Sequence, residues 1–249
     1  MSNSPNSSVW IGFDPRMATA FAIAKYSLRL YEKYVPVHGI VLDELRSRGI
    51  YTRPTSHVVD ARGNKQLWDG ISLAPMSTEF SISRFMVPIL AKTGMAMFCD
   101  CDVMFMENVS RLFDLVRGGE KAVYCVKHDH DPGHQQVKMD NQIQTKYFRK
   151  NWSSVMIFNC DHPSNRRLTL NLVNSAKGKD LHGFCWLEDD EIGDLPPEWN
   201  YLVGHSSLST SEAPAIVHFT NGLPDMEGYE NQEFAQTWRA MRARAVGAR

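Results

Sequence analysis

MAMFCDCDVMF, residues 95–105, is the stretch on which the reading of the chain turns. Met95 to Cys99 is an unbroken apolar run of the length of a buried strand. Asp100 and Asp102 follow at once. Side chains alternate faces along extended chain, so the two carboxylates point the same way. In open α/β folds, ligands collect at the carboxyl ends of the strands, which is where this pair falls. Two carboxylates held together repel unless a cation neutralises them, and a hard divalent ion with oxygen ligands is the natural occupant. An ion held by few protein groups keeps positions open for phosphate oxygens. Taken alone, the pattern is equally that of a solvated turn after a buried strand. The surroundings arbitrate.

Upstream, VWIGF (9–13) is strand-like and stopped by Asp14-Pro15. Residues 16–34 form a helix, with Phe21, Ala24, Leu28 and Tyr31 three or four apart, and VHGIVL (37–42) is a second strand. Strand, helix, strand predicts a parallel sheet covered by helices. Residues 43–76, punctuated by Pro54, Gly63, Gly70 and Pro75, yield no clear element. A helix capped by Ser77-Thr78 runs toward Leu90 and meets an obstacle at Pro88. Downstream, the alternation repeats: a helix over 109–117, the strand KAVYCV (121–126), the strand SSVMIFN (153–159) and a helix over 166–176. Late strands are expected near 199–203 and at AIVHF (215–219), then a terminal helix over 233–245. Residues 127–150 carry few apolar side chains and read as an excursion over the active face. With no repeat and no linker, one α/β domain over 9–249 follows a disordered lead of residues 1–8.

Hydrophobic residues make up 43% of the 249, enough for a sizeable core, and a formal net charge of -1 offers no basic field for nucleic acid. Five cysteines, an odd number without a Cys-x-x-Cys pair, argue against a disulfide framework or a zinc ribbon and fit a reducing interior. The N-terminus MSNSPNSS lacks the basic and apolar regions of a signal peptide, and no apolar run is long enough to span a bilayer. A cytoplasmic protein is the expectation.

Further along, SRFMVPILAKTGMAMFCDCDVMF (83–105), VWIGFDPR (9–16), SSVMIFN (153–159), LPPEWN (195–200) and IVHFTNGLP (216–224) occur in one order. Together they resemble the retaining glycosyltransferases of the GT-A fold, particularly family 8, which includes glycogenin and bacterial galactosyltransferases. The resemblance implies a single GT-A domain, a Rossmann-like nucleotide-diphospho-sugar transferase with a mixed, mainly parallel sheet. It implies that Asp100, Asp102 and His218 ligate a metal, Mn2+ or Mg2+, together with the diphosphate of a nucleotide sugar, UDP-linked in the usual case. By the same resemblance, Arg84 faces the donor phosphate or the Asp-x-Asp loop, and Asp14 contacts the nucleoside. The acidic run at 188–191 lies where the family carries Asp-Gln-Asp beside the transferred sugar, which makes Asp189 and Asp190 the catalytic candidates. Two departures matter. Trp152 stands where many members have Asn, and the lysine usual after the late His-Phe motif is missing, leaving Arg84 or Lys127 to meet the phosphate. The acceptor is a hydroxyl of a carbohydrate, a lipid-linked saccharide or another molecule.

Other readings remain open. A haloacid-dehalogenase-like phosphatase also places Asp-x-Asp after a strand, but near its N-terminus and with a Thr where Met104 stands. A nucleotide-sugar-binding protein without transfer activity is a second alternative. His128, His130 and His134 could form a zinc site. Arg239, Arg242, Arg244 and Arg249 allow peripheral contact with anionic lipid, though they also suit a solvated helix end.

Overall fold

A computed structural model describes residues 7–60, 63–129, 149 and 151–247. The chain opens with β1 (Ser7–Gly12), α1 (Ala18–Tyr31), β2 (Val37–Ile40) and α2 (Leu42–Ser47). β1 begins before Val9, because Ser7 and Ser8 already pair with Met95 and Ala96. The stretch that offered no pattern in sequence folds as a small antiparallel sheet of β3 (Thr55–Val59), β4 (Lys65–Asp69) and β5 (Ala74–Met76). The expected helix from Ser77 is instead a set of turns ending in a 3₁₀ turn at Ser83–Met86, followed by α3 (Val87–Ala91). Pro88 is the physical reason. It sits in the first turn of α3, where a missing N–H breaks no helical hydrogen bond.

Next come β6 (Met95–Cys99), β7 (Val103–Phe105), α4 (Val109–Val116), β8 (Val123–Cys125) and β9 (Val155–Asn159). Ser153 and Ser154 lie in a 3₁₀ turn before β9, so that strand is shorter than its sequence run. The helix expected over 166–176 divides into a 3₁₀ turn at Pro163–Arg167 and α5 (Leu170–Ser175). α6 (Gly178–His182), β10 (Ile192–Asp194), β11 (Tyr201–Leu202), β12 (Ile216–His218) and α7 (Ala235–Gly247) complete the order.

Among the described residues, the central sheet has six strands in the order β10-β8-β9-β6-β1-β2. β9 runs antiparallel to both neighbours and the remaining pairings are parallel, which makes the fold α/β with a mixed, mostly parallel sheet. Val9, Ile11, Met97, Cys99, Val155 and Ile157 are fully buried, as expected for strands covered on both faces.

Register decides where the chemistry gathers. Cys99 lies between Ile11 of β1 and Val155 of β9, so the chain segments just beyond Ile11 and Cys99 and just before Val155 share one edge. Beyond Asp102 the chain enters β7, which pairs antiparallel with β12 and sets His218 opposite Val103. The amide of Phe219 donates to the Asp102 carbonyl at 2.9 Å. A residue more than a hundred positions downstream is thereby fixed beside the aspartates.

Candidate functional site

Asp100, Asp102 and His218 are buried, and one ligand atom from each lies within 4.8 Å of the others. His218 Nε2 stands 3.2 Å from Asp102 Oδ1 and makes no hydrogen bond. Among the described residues this is the one group of three such side chains placed to share an ion. Two carboxylate oxygens and an imidazole nitrogen suit a hard or borderline divalent cation rather than a soft one. Cys99 and Cys101 lie outside this group, and burial first, then the adjacent carboxylates, push both thiols well above their ordinary range.

The tautomer of His218 follows from its neighbours. Ser154 Oγ has one proton, which it donates to the Asn151 carbonyl at 2.7 Å. Toward Asn200 it can therefore only accept, and it takes the Nδ2 hydrogen at 2.9 Å. That orients the Asn200 carbonyl oxygen at His218 Nδ1, 3.0 Å away, so the proton resides on Nδ1. In the neutral ring the lone pair then falls on Nε2, on the side of the aspartates, the form a metal ligand requires. Asn200 and His218 are both fully buried, so water offers no substitute for these bonds.

Arg84 is buried against the same loop. Its guanidinium pairs with Asp100 Oδ1 at 2.7 Å, donates to the carbonyls of Ser153 (2.7 Å) and Ser81 (3.2 Å), and lies over the rings of Phe98 and Phe80. Beside Asp100 and Arg84 opens a cavity of about 240 Å3. Its far walls come from the β4–β5 turn and the residues after β5, and from α6. Asn151 lines it from a left-handed backbone conformation (φ 65). His182 lines it from the end of α6, with Nδ1 2.7 Å from Ser153 Oγ and the ring edge-on to Phe85.

Neither Asn151 nor His182 was anticipated. Trp152 turns away from the cavity, its indole donating to the His128 carbonyl and packed by Lys127 and Arg149, so its neighbour supplies the amide. A polar residue adjacent to the expected position was the signal for Asn151. Nothing in sequence marked His182.

Asp14, Lys127, Asp189 and Asp190 do not line the cavity. Asp14 is buried just after β1, where it accepts from the Arg16 backbone and guanidinium and from the Glu79 amide, holding the turn together. Lys127 donates to the Ile192 carbonyl at 3.0 Å and pairs with Asp194; it does not line the cavity. Asp189 and Asp190 are exposed, in a 3₁₀ turn that leads into β10. β10 runs parallel to β8, and β8 and β6 both run antiparallel to β9. A turn before β10 therefore sits at the sheet edge opposite the one that holds Asp100. The Asp189 carboxylate pairs with Arg149, the Asp190 carbonyl accepts from Lys121, and Glu191 closes a capping box and pairs with Arg167. The structure brings neither Asp189 nor Asp190 to the cavity.

Of the histidine-rich run, His130 and His134 lie outside the described residues, as does Arg249. Arg239 and Arg242 on α7 contact the Pro224 carbonyl and Asp225. Among the described residues, no helix is long and apolar enough to cross a membrane.

The chain is 37% identical over 235 residues to Protein CDI of Arabidopsis thaliana, covering 92% of this chain and 83% of that protein. It is 28% identical over 173 residues to General stress protein A of Bacillus subtilis (strain 168), 58% of each. No family model matches it. Among solved structures, the glycosyltransferase GlyE of Streptococcus pneumoniae TIGR4 superposes with a TM-score of 0.60 at 11% identity, over 99% of this chain but 63% of the GlyE chain. The galactosyltransferase LgtC, solved with donor and acceptor sugar analogs, gives 0.56 at 9% identity, over 95% of each chain. At such identities the likeness is one of fold, and the fold is that of the GT-A glycosyltransferases. Family membership rests on the sequence match: this chain belongs to the family of Protein CDI.

Proposed function

We propose that this protein is a family 8-like, metal-dependent glycosyltransferase that moves a hexose from a UDP-linked sugar to an acceptor hydroxyl with retention. The observation that carries the reading is the convergence of Asp100, Asp102 and His218, buried and with the His218 Nε2 atom facing the carboxylates, beside a hydroxyl-lined cavity on a GT-A fold. Those three residues would hold Mn2+ or Mg2+, which when bound supplies positive charge against the diphosphate as it departs. Arg84 adds a fixed guanidinium to the same wall and positions Asp100. Asn151, Ser153 and His182 offer polar groups to the hydroxyls of the sugar.

Of the carboxylates lining the cavity, Asp69 is committed to Arg53 and Asp100 to Arg84 and the ion. Among the described residues none remains to attack the back of the anomeric carbon. Retention then has the acceptor hydroxyl approach on the leaving-group face and give its proton to a diphosphate oxygen. The same shortage favours a second reading, a nucleotide-sugar-binding protein without transfer. Residues 9–249 act as one catalytic unit in this proposal, and free cysteines fit a reducing, cytoplasmic setting.

Thermal unfolding with UDP, UDP-sugars and Mn2+ tests the reading, since a ligand of the native state raises apparent stability by mass action. Stabilisation by UDP that requires Mn2+ and vanishes in Asp102→Asn is the expected result. Absence of any such shift in the wild type defeats the proposal, and stabilisation without transfer or hydrolysis selects the second reading.

A further inference from the structure

The cavity beside Asp100 carries more positive charge than its own carboxylates neutralise. Asp69 gives both oxygens to Arg53, and Asp100 pairs with Arg84. Lys177 and Lys179 line the same cavity. Both are exposed, at its mouth, and neither ammonium lies within ion-pair distance of a carboxylate among the described residues. Lys179 and His182 are three apart on α6, which puts them on one helix face with Cβ atoms about 5–6 Å apart. His182 is tied to the Asp100 end through Ser153, whose carbonyl holds Arg84. Lys179 therefore stands one helical turn from His182, and Lys177 precedes α6 beside Gly178, whose amide donates to Ser72 in the β4–β5 turn. Ser72, Ser77, Thr78 and Asn151 supply hydroxyls and an amide to the walls between. Those groups suit a polyol. They do not account for two uncommitted ammonium groups at the mouth.

We propose that the sugar filling this cavity bears an acidic substituent, a carboxylate or a phosphate, bound by Lys177 and Lys179 at the end remote from Asp100. The inference rests on the reading of the cavity as the sugar site of a glycosyltransferase. The acidic group has two possible carriers. A donor hexuronate would bring it on the transferred sugar, and an acidic saccharide or sugar phosphate would bring it on the acceptor.

The test compares the full-length chain with Lys177→Ala/Lys179→Ala, both positions being exposed and outside the core. Calorimetry with Mn2+ measures the affinities of UDP, UDP-glucose and UDP-glucuronate. Transfer assays then compare neutral acceptors with their phosphorylated counterparts. A donor carrier predicts that UDP-glucuronate binds the wild type more tightly than UDP-glucose and weakens about tenfold in the double variant, two charge-assisted contacts being lost. UDP and UDP-glucose stay unchanged. An acceptor carrier predicts unchanged affinity for all three nucleotides and a comparable rise in KM for the phosphorylated acceptor alone. Weakened binding of UDP itself overturns the proposal, because the lysines then serve the diphosphate. Equal preference for acidic and neutral ligands in both arms also overturns it, while the glycosyltransferase reading stands. Failure of the wild type to bind UDP with Mn2+ overturns both.

Discussion

Ser154→Ala removes one hydroxyl that never touches an ion, yet it should weaken metal binding. In the wild type, Ser154 Oγ is obliged to accept from Asn200 Nδ2, and that obligation turns the Asn200 carbonyl toward His218 Nδ1. Without it the amide can rotate and present its NH2 to Nδ1. The proton then moves to Nε2, the nitrogen 3.2 Å from Asp102, and the lone pair is lost. Partners of this kind behind a ligating histidine are worth about 10–100-fold in metal affinity. At about 1.4 kcal/mol per factor of ten, that is roughly 1.4–2.8 kcal/mol. Asn200→Leu should do at least as much and should also destabilise the fold by about 1–3 kcal/mol, since it leaves a fully buried N–H without an acceptor. Mn2+ titration by calorimetry measures the affinity, and imidazole 15N shifts of His218 in metal-free protein report the tautomer independently of any activity. Affinity within twofold of wild type in Ser154→Ala, or a metal-free wild type with its proton on Nε2, would refute the relay.

Three other perturbations test other parts of the architecture. Asp69→Asn leaves Arg53 charged and buried without its counterion and should cost about 3–5 kcal/mol in denaturant unfolding. Although burial alone raises the Asp69 carboxyl, hydrogen bonds from Arg53 and Ser72 hold it below its ordinary value of 3.8. Its stabilisation is therefore complete above that value and is lost as pH falls through the folded value, so the gap between wild type and variant should close in acid. Gly12→Ala would place a methyl 2.4–2.8 Å from the Phe80 ring, a clash worth about 1–3 kcal/mol. Because that ring packs under the Arg84 guanidinium, the melting temperature and Mn2+ affinity should fall together. Finally, Asp100 and Asp102 outweigh Arg84, so a divalent ion reverses the sign of the site and prepares it for a diphosphate. UDP should tighten Mn2+ binding, and Mn2+ should tighten UDP binding by that same factor; a factor of one in the calorimetric cycle would show that the two do not share a site.

Much of the frame was legible because it depends on local pattern. The run from Met95 to Cys99 is too short for a helix and too apolar for a surface, and it became the third strand from one edge of the sheet with its aspartates at the carboxyl end. The βαβ opening followed from a change of period, from a continuous run to three-and-four spacing and back. Residues 55–76 were opaque for a matching reason. Strands of three to five residues, one with nearly every side chain exposed, carry too little alternation to register as strands.

The site was only half legible, and strand direction is the cause. Asp189 and Asp190 stand a few residues before LPPEWN, and in linear order they looked adjacent to the chemistry. Whether a turn next to a strand faces the ligand depends on whether it enters or leaves that strand, and on which way the strand runs. β10 is three residues long and gives no sequence sign of its direction. Only its pairing with β8 shows that residues 189–191 enter at the far edge. The preceding α6 delivers His182 to the near edge instead, because Ser153, at the start of an antiparallel strand, waits there to bond it. Composition marks where charge accumulates along a chain. Which edge of the sheet receives that charge is set by pairings made elsewhere, so a buried histidine with one hydroxyl partner is better placed to meet a sugar here than four consecutive acids.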